Sequence, residues 1–144
     1  MREGEMIGRG SNVIRLRSIV EGYVEASLVV VDDYISFLGD MDPKRGVLRK
    51  RGYEGVEVRG RILVFRGSRG STVGPYILYS AWKEGNAPSA MVVTKADQIV
   101  ISGCVISNIP LGEIVGRDIA ELRNYSGRKA LIKLGPEEGF LMID

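Results

Sequence analysis

The stretch KADQIVISGCVISN, residues 95–108, has two readings, and the fold class follows from the choice between them. Ile99, Val100, Ile101, Val105 and Ile106 are β-branched and favour a strand by propensity. The flanks argue otherwise. SAMVVT (89–94) and IPLGEIV (109–115) are apolar runs of strand length. Neighbouring parallel strands are joined by a right-handed crossover of a dozen or more residues, usually helical. Asp97 is a good N-cap for such a helix, so the segment is read as strand, buried helix of little amphipathicity, strand.

The same pattern lies upstream. RILVF (61–65) is a compact apolar run, and PYILYSAWKEGN (75–86) sets Ile77, Leu78, Ala81 and Trp82 on one helical face. Pro75 suits the first turn and Gly85 the C-terminal cap. Nearer the start, NVIRLRS (12–18) alternates apolar and polar residues, and GYVEASLVVVDD (22–33) follows a Glu21-Gly22 turn as a longer strand. Asp42-Pro43 and Arg45-Gly46 supply turn chemistry before a short strand near 47–49. RKALIKL, GPEEG and FLMID (128–144) read as a hairpin apolar enough to close against the early strands. The predicted fold is α/β: a small parallel sheet with crossover helices joined to a β-barrel-like layer, one domain over residues 1–144.

Composition bounds the function classes. A chain of 144 residues with 44% hydrophobic content can bury one adequate core. No run approaches the roughly 18 apolar residues of a membrane span, and MREGEMIGRGSN (1–12) lacks a signal-peptide core, so a cytoplasmic protein with no membrane partner is expected. Cys104 is the one cysteine and histidine is absent. That excludes an internal disulfide, a histidine base and a multi-Cys/His metal site, leaving any cluster or metal to a partner. A net charge of +2, with arginines crowded between Arg45 and Arg69 but no interleaved aromatics, points away from nucleic acid and toward a solvated face or a protein or anion contact.

Gly67, Ser68, Arg69, Gly70, Ser71 and Thr72 stand where a strand hands over to a helix N-terminus. Free N–H groups and the positive end of the helix dipole favour anions there, and glycine lets a ligand approach the backbone. Ser71 or Thr72 is expected at or near the N-cap. A plain Ser/Thr cap on a glycine turn uses the same residues, and spacing alone does not separate the two readings. The loop is neither a Walker motif nor the dinucleotide G-x-G-x-x-G, which disfavours a nucleotide.

GSRGSTVGPYILY (67–79), taken with ISFLGDMDPKRG (35–46), GNAPSAMVV (85–93) and ISNIPL (106–111), resembles the small subunits of the aconitase X family from about Glu21 to Leu111. The resemblance implies a swivelling β/β/α domain and a large partner subunit holding a [4Fe-4S] cluster through its own cysteines. It implies a hydro-lyase that dehydrates (R)-5-phosphomevalonate to trans-anhydromevalonate 5-phosphate in the archaeal modified mevalonate pathway. In that chemistry a cluster iron takes the departing tertiary hydroxyl while a base on the swivelling domain removes a proton from the carbon beside the carboxylate. Aconitases use the first hydroxyl of a Gly-Ser-Ser segment. The matching Gly70-Ser71-Thr72 makes Ser71 the expected base and Ser68 its rival, with Gly67, Ser68, Arg69, Gly70 and Thr72 expected at the phosphorylated carboxylate substrate and Arg66 behind them. A hydroxyproline-type dehydratase of the same family, or a non-catalytic anion- or protein-binding domain, are the other readings.

A helix N-terminus supplies up to about 2 kcal/mol, or about 1.5 pKa units, too little to ionise a serine at neutral pH. Arginines and the partner must add positive charge, so the active site is expected only at a subunit interface. The chain departs from the family pattern at Pro75, where serine is more usual, at Cys104, where a small aliphatic is, and at Gly112-Glu113, where Val-Asp follows the Ile-Pro-Leu. Glu113 is thereby a candidate for the role of that acid. Asp42 is read as turn chemistry, Cys104 as a small buried residue, and Asp97 with Gln98 as a helix start at the ligand-binding end of the sheet.

Overall fold

The computed structural model describes residues 12–144. Strands β1 (Asn12–Val20) and β2 (Gly22–Ile35) lead through a short helix α1 (Phe37–Asp40) into a small hairpin, β3 (Met41–Asp42) and β4 (Val47–Leu48). Then come β5 (Ile62–Ser68), α2 (Gly74–Lys83), β6 (Ala90–Val93), α3 (Gln98–Ser107) and β7 (Leu111–Ile114). A 3-10 helix, Ile119–Tyr125, precedes the closing hairpin β8 (Lys129–Leu134) and β9 (Glu138–Ile143).

Seven strands close a barrel in the order β1-β7-β6-β5-β2-β8-β9, with β9 returning to β1. Strands β2, β5, β6 and β7 run parallel, and the other pairings are antiparallel. The expected parallel sheet and barrel-like layer are therefore one closed sheet, half of it parallel.

Strand alternation divides the apolar residues between two cores. Leu28 and Val30 of β2, Ile62 and Val64 of β5, and Ala90 and Val92 of β6 fill the barrel with Ile14, Leu16, Ile132 and Leu141. Their neighbours Val29, Val31, Leu63, Phe65, Met91 and Val93 meet Leu78 and Ala81 of α2 and Val100 and Cys104 of α3. Parallel strands covered on both faces read as continuous apolar runs, whereas β8 keeps one solvent face and alternates. Ile119 and Leu122 of the 3-10 helix complete the barrel core.

The ambiguous stretch is helical. Asp97 caps α3 by accepting the Val100 N–H at 3.0 Å, and Asn108 ends it in the left-handed region at φ 53°. Packing on α2 is close: a Cβ at Gly103 would lie 2.9 Å from Leu78 Cδ2. Only one face of the helix is buried, since Val105 and Ile106 are exposed. Trp82, expected on the inner face of α2, also lies at the surface. Asp42 accepts the N–H groups of Lys44 and Arg45 at 3.0 and 3.3 Å, the turn role expected of it. Among the described residues no helix is long and apolar enough to cross a membrane.

Candidate functional site

Strand β5 runs to Ser68, three residues beyond the apolar run that marks it in the sequence, and α2 begins at Gly74. The five residues 69–73 between them lie at the carboxyl edge of the parallel strands, where open α/β sheets bind ligands. Arg69 N–H donates to the Ile35 carbonyl at 3.1 Å, and Gly70 then turns the chain at φ 93°, a conformation that favours glycine.

The cap is Val73, not Ser71 or Thr72, and no side chain closes it. Gly74 N–H bonds to the Ser71 carbonyl at 3.1 Å, Tyr76 and Ile77 N–H bond to that of Val73 at 3.0 and 3.2 Å, and Pro75 has no N–H. The first-turn donors are thus largely engaged. The N–H groups of Gly70, Ser71 and Thr72 have no acceptor among the described residues. The unengaged donors thus sit in the loop rather than in the helix.

The two serines are in opposite hydrogen-bond environments. The Ser68 hydroxyl donates to Asp97 Oδ1 at 2.6 Å, and its N–H donates to Asp97 Oδ2 at 2.7 Å. A carboxylate at that distance opposes ionisation of the hydroxyl. Half-buried Ser71 instead accepts the Val73 N–H on Oγ at 3.2 Å, a bond that favours a negative oxygen. Thr72 is exposed beside it.

Charge around the loop is sparse. The exposed Arg69 guanidinium lies 5.9 Å from the centre of the Tyr34 ring. Nearby Asp33 is held below the usual carboxylate range, first by the Tyr34 N–H and then by Lys50, with Arg69 adding to the effect. Arg66 faces elsewhere: it pairs with the nearly buried Asp32 at 2.7 Å, and Arg123 Nε reaches the same carboxylate at 2.6 Å. Glu113 accepts the Ala96 N–H at 2.6 Å and pairs with Arg17 at 3.0 Å, which binds the segment before Asp97 to β7 and β1. Exposed Gln98 opens α3.

Cys104 is fully buried, and its thiol is pushed far up, mainly by burial and secondarily by the charge of Asp97. No group of three His, Cys, Asp or Glu among the described residues can hold a metal ion. An iron–sulfur cluster therefore does not fit the donors of the described residues, whose one cysteine is buried.

The structure places Gly67 at the end of β5 and Ser68 through Thr72 on one exposed edge, beside Tyr34 and Asp97. Val73 and Tyr76, which follow Thr72 in the chain, are exposed apolar side chains, as is Leu38 of α1. The second task of Asp97, holding Ser68, has no local signature, because 29 residues separate the two and only the pairing of β5 with β6 brings them together.

Residues 13–142 match the family described as the aconitase X swivel domain. The phosphomevalonate dehydratase small subunit of Pyrococcus furiosus is 40% identical over 129 residues, covering 88% of this chain and 92% of that protein. The protein of the same name from Methanopyrus kandleri is 43% identical over 104 residues, 71% of this chain and 77% of that one. The crystal structure of Thermococcus kodakaraensis aconitase X in its holo-form superposes with a TM-score of 0.83 at 33% identity, over 92% of this chain and 98% of that chain. The chain belongs to the aconitase X swivel-domain family.

Proposed function

We propose that this chain, acting as one swivelling domain over residues 1–144, is the small subunit of a cytoplasmic phosphomevalonate dehydratase and supplies its base, Ser71. The observation that carries the reading is the Ser71 oxygen itself. It stands on an open edge, accepts a backbone N–H at 3.2 Å, and is flanked by loop N–H groups with no acceptor among the described residues. The names of relatives at 35–43% identity support the dehydratase activity and a large-subunit partner.

Ser71 Oγ, ionised under the positive charge that closure gathers around it, takes the proton from the carbon beside the substrate carboxylate and afterwards releases it, so that it leaves with the hydroxide as water. The electrons of that C–H bond form the new double bond, and hydroxide leaves the neighbouring carbon on the partner's side, so that water is lost overall. Ser68 is the poorer base because its ionised oxygen would lie against the Asp97 carboxylate, 2.6 Å away. Arg69 and the N–H groups of Gly70 to Thr72 receive the anionic ends of the substrate, with Gly67 keeping the strand end free of a side chain. A [4Fe-4S] cluster belongs to the large subunit, since the one cysteine here is buried.

Closure of the large subunit over Leu38, Val73 and Tyr76 would exclude water and strengthen the charges acting on Ser71. The test is a substrate screen on the two-subunit complex. Turnover of (R)-5-phosphomevalonate with no turnover of 3-hydroxyproline is expected, and the reverse preference would reassign the substrate.

A further inference from the structure

Asp97 does more than a helix cap requires. One oxygen accepting the Val100 N–H at 3.0 Å satisfies the cap, yet the carboxylate also takes both donors of Ser68, at 2.6 and 2.7 Å. Gly67 makes room for this. A Cβ there would lie 3.1 Å from Asp97 Oδ2 and 3.2 Å from the Lys95 carbonyl, so a side chain would crowd the carboxylate by a few tenths of an ångström. From the other side Glu113 accepts the Ala96 N–H at 2.6 Å and is itself paired with Arg17. Short hydrogen bonds thus run from β1 through β7 and the start of α3 to the last residue of β5.

That residue is where the loop begins. The far end of residues 69–73 is fixed by α2, whose Gly74 is wedged so closely that a Cβ would meet Ile99 Cγ2 at 2.9 Å. With one end fixed by packing, the place of Ser71 depends on where Ser68 is held. We infer that Asp97 is a positioning residue for Ser71, acting through Ser68 as its handle and braced by Glu113. The inference rests on the reading of Ser71 as the base. A displacement of about 1 Å at a reacting group can cost about 100-fold in rate, so a carboxylate that never touches substrate still governs turnover.

Asp97→Asn, Ser68→Ala and their double variant are compared with Ser71→Ala in the complex with the large subunit. Asn caps helices as well as Asp, so α3 is retained, but its amide can present a donor toward the Ser68 N–H. The expected result is a loss of about 10- to 100-fold in kcat for each single variant, with KM within about twofold. The double variant should be no slower than the slower single, because both changes break one link. If both variants keep wild-type kcat while Ser71→Ala is inactive, the positioning role is overturned and the base assignment stands. Lowered melting temperature or subunit affinity with kcat unchanged at saturating large subunit would reduce Asp97 to a structural residue and equally overturn it. An active Ser71→Ala removes the base assignment and the inference with it.

Discussion

Ser68 and Ser71 stand three positions apart, and what separates them chemically is the direction of one hydrogen bond each. Ser68 donates to a carboxylate, whereas Ser71 accepts from a backbone N–H. Ser71→Ala in the assembled enzyme should lower kcat by about 100- to 10,000-fold, as loss of a general base does, while circular dichroism melting shifts little. The fold survives because Ser71 is not the helix cap and the bond lost is worth about 1 kcal/mol. Arg69→Ala should raise KM, and Arg69→Lys should recover only part of the loss because lysine keeps the charge but not the planar fork. An unchanged KM in both would leave Arg69 as a surface cation over Tyr34. Native Cys104 should resist thiol reagents until the chain is unfolded, since burial disfavours its thiolate. At this scale the Gly70-Ser71-Thr72 segment is legible from the sequence because its residues are contiguous. The Ser68–Asp97 pair is not, because a tertiary contact across 29 residues creates it.

Helix α3 was set by competing rules. The β-branched run of α3 favours a strand locally, and it becomes a helix because β6 and β7 are parallel neighbours whose joining chain must cross over. Topology outweighs propensity there. The boundaries of β5 and α2 were less legible. The strand continues through polar Arg66 to Ser68 because β2 still pairs with it, Ile35 opposite Ser68, and the helix cap falls on Val73 although two hydroxyl residues precede it. Gly70 bears the turn between these elements. Gly70→Ala places a Cβ at φ 93°, which should cost about 1–2 kcal/mol, lower the melting temperature by several degrees, and displace the Ser71 N–H. Leu78→Ala, in the seam between the helices and the sheet, should cost about 2–5 kcal/mol in a denaturant titration. Its activity, measured well below the unfolding midpoint, should fall less than that of Gly70→Ala because Leu78 does not shape the loop.

For the whole molecule, the closing of the C-terminal hairpin against the early strands was legible, and the pairing order that makes one closed barrel of them was not. Continuous apolar runs announce strands buried on both faces, but which strand closes on which depends on the β1–β9 and β2–β8 pairings between residues far apart in sequence. Once closed, the barrel and the helices packed on it present the loop at the carboxyl edge of the parallel strands. A groove of about 450 Å³ lies instead on the antiparallel strands, lined by residues such as Glu25, Lys129 and Asp144. Leu38, Val73 and Tyr76 are exposed on this domain, and the donors of its described residues do not fit a cluster. The direct measurement is to titrate this chain into its cluster-loaded large subunit and follow (R)-5-phosphomevalonate dehydration. Neither subunit alone should turn over substrate, and activity should rise to a plateau at equimolar subunits. Turnover by either subunit alone, or an inert saturated mixture, would contradict a site completed only at their interface.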